Sequence, residues 1–170
     1  MNQEYAIIEE EKDFIMLDDF NQVLHLIELG RAPMKSSTDA SGYTTDGRYV
    51  NIELKRRNQT LTDDFKISGV TKQNKTYTAS TIYIESHKSA DMLFDFVIDK
   101  KIPLYINFLE GYVIVHNLSM LKTRPSTTVV KSIKSELYQG FELAKRQELD
   151  LSDAWIWKKE NNSYQLIRKP

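Results

Sequence analysis

The sequence predicts an α/β fold, or its α+β variant, with one mixed sheet flanked by helices. Three observations carry this. Strand-like runs rich in β-branched and aromatic residues recur at 48–56, 80–85, 103–109 and 112–115. Segments with apolar residues at helical spacing stand around and between them. Residues 103–109, Pro-Leu-Tyr-Ile-Asn-Phe-Leu, are apolar on both faces, as a central strand covered on each side must be. At 170 residues the chain has the length of a single domain with a proper core.

Residues 4–17 are two short apolar runs split by charges, a hairpin or a strand leading into a helix. Asp18 or Asp19 then serves as an N-cap. Phe20, Val23, Leu24 and Ile27 follow at helical spacing and Gly30 stops the run, which predicts a helix over 19–29 with Pro33 beyond it. Residues 35–45 are Ser/Thr-rich and extended, and 48–56 form a clear strand after the Asp46-Gly47 turn. Residues 58–78 are polar and read as a long loop with room for a short strand. Residues 80–85 are a strand, and Ser86 or Ser89 caps a helix carrying Met92, Leu93, Phe96 and Val97. The buried strand 103–109 turns at Glu110-Gly111 into 112–115. After Pro125, the spacing of Val130, Ile133, Leu137, Phe141 and Ala144 predicts a long amphipathic helix over 128–147. Trp155-Ile156-Trp157 and Tyr164 to Ile167 flank Asn161-Asn162 as a terminal hairpin.

Composition sets several function classes aside. Without cysteine there is no disulfide framework and no thiolate metal site. His25, His87 and His116 are scattered, which argues against a histidine zinc centre. No apolar run approaches a membrane span and the N-terminus is acidic, unlike a signal peptide, so a cytoplasmic protein is expected. No phosphate-binding glycine loop, serine nucleophile motif or dinucleotide fingerprint is present. Net charge is only −1, but it is unevenly spread. Residues 1–20 hold seven acids against one base, 48–77 hold seven bases against three acids, and 122–170 hold ten bases against six acids. Such polarity suits a face that meets a polyanion, although charge runs also serve simply as solvated surface.

The strand at 48–56 carries the chemistry. Side chains two apart on a strand share a face, so Glu53 and Lys55 emerge together from a strand whose other face is Val50, Ile52 and Leu54. A carboxylate beside an ammonium suits magnesium-dependent phosphodiester hydrolysis, the carboxylate holding a hard cation and the lysine acting on water or phosphate. A second ligand belongs on the partner strand, where Asp39 and Asp46 stand. The turn decides between them. A two-residue Asp46-Gly47 turn makes paired positions sum to 93 and puts Asp39 on the wrong face. A three-residue Thr45-Asp46-Gly47 loop, with Gly47 left-handed, makes them sum to 92 and sets Asp39 opposite Glu53. Gly at the third loop position suits the second register, with Asp46 left as a turn former. Asp39, Glu53 and the Leu54 backbone carbonyl then form an all-oxygen set for Mg2+ or Mn2+.

This arrangement resembles the PD-(D/E)xK nuclease superfamily, the restriction-endonuclease-like fold. Its pattern is an acidic residue, a turn, (D/E)-x-K on the next strand, then a helix and another strand. The matching residues are Asp39, Glu53 and Lys55, followed by the helix at 88–99 and the strand at 103–109. The match spans about residues 18–110, within an expected core of about 18–117 to which the helix and hairpin of 126–170 are accessory. Two features depart from the pattern: Thr38-Asp39-Ala40 has no proline before the acid, and an extra strand at 80–85 intervenes. The resemblance implies catalysis by Asp39, Glu53 and Lys55 with a bound metal. It also implies an accessory helical carboxylate, for which Glu28 on the first helix is the candidate. Glu85 and Lys88 are accessory candidates by position, at a strand-to-helix junction where polar groups converge on sites, and the chain is compatible with a homodimer, as in many nucleases, or with a protein partner. Arg56 and Arg57 alternate faces, so one of them can meet a phosphate. Trp155 and Trp157 share a strand face, for base stacking or for the core.

Two functions follow. One is a metal-dependent nuclease acting on nucleic acid, DNA foremost. The other is a non-catalytic nucleic-acid-binding or protein-interaction subunit on the same fold, in which a lysine such as Lys55 or Lys35 fills the space at Glu53 by an ion pair.

Overall fold

Alternation is strictest along Tyr49–Arg56, and this strand organises the molecule. The computed structural model describes residues 3–33, 36–71, 73–133 and 141–170; of residues 3–10, 130–133 and 141–143 it describes the backbone alone. In order, the elements are α1 (Gln3–Leu24), β1 (Ile27–Arg31), β2 (Ala40–Tyr43), β3 (Tyr49–Arg56), β4 (Thr60–Leu61), β5 (Ile67–Val70), β6 (Thr76–Ala79) and β7 (Thr81–Glu85). Then come α2 (Ser86–Asp99), β8 (Ile102–Leu109), β9 (Tyr112–Asn117), β10 (Ser126–Ile133), β11 (Phe141–Asp150), β12 (Ala154–Glu160) and β13 (Ser163–Arg168).

Seven strands form the main sheet in the order β1-β2-β3-β8-β9-β12-β13. All neighbours are antiparallel except β3 and β8, which run parallel. Parallel neighbours need a long crossover, and residues 57–101 supply it, ending in α2. Two smaller three-stranded sheets, β10-β11-β7 and β4-β5-β6, complete a mixed α/β architecture.

The two faces of the main sheet are dressed differently. Val50, Ile52 and Leu54 pack with Leu17 and Phe20 of α1 and with Ile106 and Phe108 of β8. Phe20 is the hub, edge-on to Trp157 at 5.3 Å and to Tyr164 at 5.0 Å. The opposite face packs Tyr105, Leu109, Ile114 and Ile156 against Met92 of α2 and against Ile82, Ile84 and Leu149 of the β7/β11 layer. Among the described residues no helix is long and apolar enough to cross a membrane.

Four expected elements differ. The helix expected over 19–29 is the end of a longer one: α1 absorbs the undecided segment 4–17 and stops at Leu24, and Ile27–Arg31 is a strand. His25 turns left-handed (φ 53°), and the Asn21 amide donates to the Leu26 carbonyl (3.0 Å) and accepts from its N–H (2.9 Å), drawing the chain off the helix. The loop expected at 58–78 contains β4, β5 and β6, a meander of sequence-adjacent antiparallel strands in which apolar residues are sparse, Leu61 and Ile67 being the buried ones. Glu85 rather than Ser86 or Ser89 is the N-cap of α2, and its side chain makes no cap hydrogen bond. The long helix expected over 128–147 is a hairpin, β10 with β11, though residues 134–140 lie outside the described residues. The run Thr127-Thr128-Val129-Val130 is β-branched, and pairing of β11 with β7 overrides the helical spacing of its apolar positions.

Candidate active site

Register comes first. Ala40 pairs with Ile52, Ser41 with Asn51, Gly42 with Val50 and Tyr43 with Tyr49, so paired positions sum to 92. The loop is Thr45-Asp46-Gly47, with Gly47 at φ 82° and its N–H donating to the Thr44 carbonyl at 2.9 Å. Asp46 is held within the turn, accepting from Thr44 and paired with Arg48 at 2.9 Å.

The next residue outward from Ala40 is Asp39, which reaches the Glu53 level of β3. Its N–H donates to the Ile52 carbonyl (2.9 Å) and its Oδ2 accepts from the Leu54 N–H (2.7 Å). Peptide direction alternates along a strand, so the Leu54 carbonyl leaves β3 on the same edge as its N–H, the edge where Asp39 lies.

Glu53 points to the opposite face from Leu54, toward α2, and is 5 % exposed. Lys88, the third residue of α2, brings its ammonium onto Glu53 Oε1. Ser89 holds this turn of helix in place: its hydroxyl, buried, donates to Gln147 Oε1 of β11 at 2.7 Å. Glu53 Oε2 is buried and meets no donor, and the Asp39 carboxyl lies within hydrogen-bond reach of Glu53, so a proton held by one carboxyl can bridge the two. The charges do not balance. Burial pushes the Glu53 carboxyl up to about 8, the nearby Asp39 adds to this, and Lys88 only partly opposes it. Burial pulls the Lys88 ammonium down, but its hydrogen bond to Glu53 and the charges of Glu53, Asp39 and Glu85 outweigh this and hold it above its ordinary value. The two shifts differ in origin: burial is the largest cause at Glu53, whereas at Lys88 the surrounding carboxylates outweigh burial.

The other expected site residues separate into two groups. Lys55 shares the face of Glu53, is exposed, and makes no ion pair among the described residues. Glu85 is exposed beside the cluster, with His87 Nε2 at 3.6 Å. Glu28 is not on a helix. It sits on β1 at a bulge (φ 53°), where pairing runs from Ile27 opposite Tyr43 to Gly30 opposite Ser41, well short of the end of β2 that leads to Asp39. Arg56 faces α1 and pairs with Asp13 at 3.6 Å. Arg57 is buried: it donates to Asn107 Oδ1 (2.7 Å), the Tyr83 carbonyl (2.8 Å) and the Tyr105 hydroxyl (2.8 Å). Arg57 is therefore engaged inside the fold, whereas Arg56 is half-buried and keeps part of its side chain in solvent. Trp157 packs on Phe20. Lys35 lies outside the described residues.

No family model, curated protein or solved structure matches this chain.

The residues missed from the sequence are those that neighbour the site across strands. Tyr105 stands opposite Glu53 and Asn107 opposite Lys55 on β8. Burial pushes the Tyr105 hydroxyl up to about 12, and it donates to the Tyr83 carbonyl at 2.7 Å. Asn51, one alternation before Glu53, donates to Asp95 of α2 at 2.8 Å. Polar residues inside the otherwise apolar run 103–109 were the available signal. Among the described residues no group of three or more His, Cys, Asp or Glu is gathered as a metal cage. What the site offers is two carboxyls and a backbone carbonyl, with a lysine on either side.

Proposed function

We propose that this chain is a metal-dependent nuclease of the PD-(D/E)xK type, hydrolysing phosphodiester bonds, with DNA the first substrate to test. One observation carries the reading: the Asp39 carboxyl, from the residue before β2, comes within hydrogen-bond reach of Glu53 on β3, while Glu53 Oε2 is buried and meets no donor. A buried acceptor without a donor costs free energy unless something fills its place. Oxygen donors from Asp39, Glu53 and the Leu54 carbonyl fit a hard divalent cation such as Mg2+ or Mn2+, which typically keeps several waters. The order of elements supports the same reading: acidic residue, turn, Glu-x-Lys strand, helix, then a strand parallel to it.

When bound, the metal supplies Lewis acidity and lowers the pKa of attacking water. The residues of the chain do the rest. Asp39 and Glu53 provide the negative charge that retains the cation. Asp39 is oriented by the Leu54 N–H. Lys55, exposed on the Glu53 face, is positioned to meet a phosphate oxygen or the attacking water and to stabilise charge that develops there.

The test is cleavage of DNA with Mg2+ or Mn2+ by the wild type, Glu53→Ala and Lys55→Ala. Each substitution is expected to lower turnover by about 100-fold or more. Lys55→Ala should leave stability within about 1 kcal/mol, because its ammonium is exposed. Activity unchanged by both substitutions removes the assignment. The Glu53–Lys88 ion pair favours a second reading, a non-catalytic nucleic-acid or protein-binding subunit in which a lysine fills the cation's place. That reading requires no Mn2+ binding dependent on Glu53.

A further inference from the structure

We propose that Lys88 is the resident counter-cation of the Asp39–Glu53 pair, competes with a divalent ion for Glu53, and so controls how readily the site fills. The inference rests on the metal reading above and adds what regulates that site.

Its starting point is a lysine in an unfavourable place. Lys88 lies in the first turn of α2, where unpaired N–H groups make the positive end of the helix dipole and cations are disfavoured. The N-cap Glu85 makes no side-chain hydrogen bond there, and the first turn contains no acid. Propensity therefore does not account for a cation at this position, whereas contact with Glu53 does. Lys55 provides the contrast. It is two residues from Glu53 and on the same face, yet it extends to solvent. Of the two lysines, the distant one from the helix contacts the Glu53 carboxyl, leaving the near one available to substrate.

The ammonium is also suited to being displaced. It engages one oxygen of Glu53 and donates nothing to Oε2, which is buried and meets no donor. Its side chain is 28 % exposed, on a flexible four-carbon stem, so a route to water exists. Glu85, exposed and already acting on Lys88 by its charge, can receive it. A dication at the carboxylates and an ammonium on Glu53 Oε1 repel each other, so each occupant weakens the other.

The experiment is calorimetric titration of the full chain with Mn2+, using the wild type, Lys88→Met, Lys88→Arg, Lys55→Met and Glu53→Gln. Lys88→Met should bind Mn2+ about tenfold tighter or more. Lys88→Arg should bind as weakly as wild type, Lys55→Met should shift affinity less than Lys88→Met, and Glu53→Gln should lose binding. A wild type too weak to measure beside a Lys88→Met variant that binds also supports the gate. Lys88→Met binding no tighter than wild type, with binding still dependent on Glu53, overturns the gate and leaves the metal site standing. No Mn2+ binding by any variant overturns both. A second measurement needs no substitution: reductive methylation of Lys88, read by peptide mass spectrometry, should quicken when Mn2+ is added to wild type. An unchanged rate at saturating Mn2+ counts against displacement even if Lys88→Met fails to fold.

Discussion

Glu53 concentrates the electrostatic cost of the site in one side chain. In the folded chain its carboxyl is pushed up to about 8 by burial and by Asp39, against an ordinary value of 4.5. A raised carboxyl favours folding while it is protonated, so its contribution is fully present below about pH 4.5 and is lost as pH rises through about 8. Wild type should therefore lose stability relative to Glu53→Gln between pH 5 and 8.5, by about 2–4 kcal/mol. Urea unfolding of both proteins at the two pH values checks this, and a constant difference would show that the carboxyl is not perturbed. A divalent cation acts in the opposite sense. If the site holds a metal as proposed, the ion takes the ionised form, so adding Mn2+ at pH 8 should restore stability to wild type but not to Glu53→Gln.

At the scale of elements, the β2–β3 hairpin decides whether two carboxyls meet. Gly47 stands at φ 82° with open space where a Cβ would be, so the demand there is conformational and not steric. Gly47→Ala should cost about 1–2 kcal/mol in urea unfolding, and Gly47→Asn clearly less, because Asn tolerates the left-handed region. If the loop shortened to two residues, the register would move by one and Asp39 would leave the Glu53 face. A Gly47→Ala variant with wild-type stability would mean that the turn does not need its glycine. The α2 element plays the complementary part. Met92 and Ser89, both buried, fix the helix on the sheet and on β11, and so place the Lys88 stem over β3.

Across the whole molecule, a polar seam runs between the main sheet and the layer above it. Asn51 meets Asp95, Glu53 meets Lys88, and Arg57 joins Asn107 and Tyr105 of β8 to the Tyr83 carbonyl of β7. Arg57 also lies over the Tyr83 ring at 4.5 Å, with Arg146 over the same ring at 4.1 Å. Removing Arg57 takes the donor from the buried Asn107 Oδ1 and one hydrogen bond each from the Tyr83 carbonyl and the Tyr105 hydroxyl, which still bond each other. Arg57→Ala should therefore destabilise by about 2–4 kcal/mol, and Arg57→Lys should recover only part of that, since one ammonium cannot reproduce the fork. Thermal unfolding reads both effects. Nucleic-acid binding at a temperature where the variant stays folded should change little, as expected for an arginine that ties two sheets together. A stability loss under 0.5 kcal/mol would show the seam to be replaceable.

By itself, the sequence determined what local geometry determines. The strand period put Glu53 and Lys55 on one face, glycine at the third position of the Thr45–Gly47 loop chose the register that sets Asp39 against Glu53, and the unbroken apolar run of residues 103–109 marked the central strand. Each of these needs only neighbours in the chain. Tertiary structure alone decided the rest. Glu53 and Lys88 are 35 residues apart and meet because a parallel pairing forces a crossover that returns α2 over β3. Arg57 reads as a surface cation and becomes a buried tie because Asn107 and Tyr105 come from 48–50 residues away. The segment expected as a helix over 128–147 became a hairpin because β7 offered a free edge for β11. Periodicity and turn chemistry are written locally, whereas which edge a strand joins and which charge fills a buried site depend on contacts that exist only once the sheet has closed.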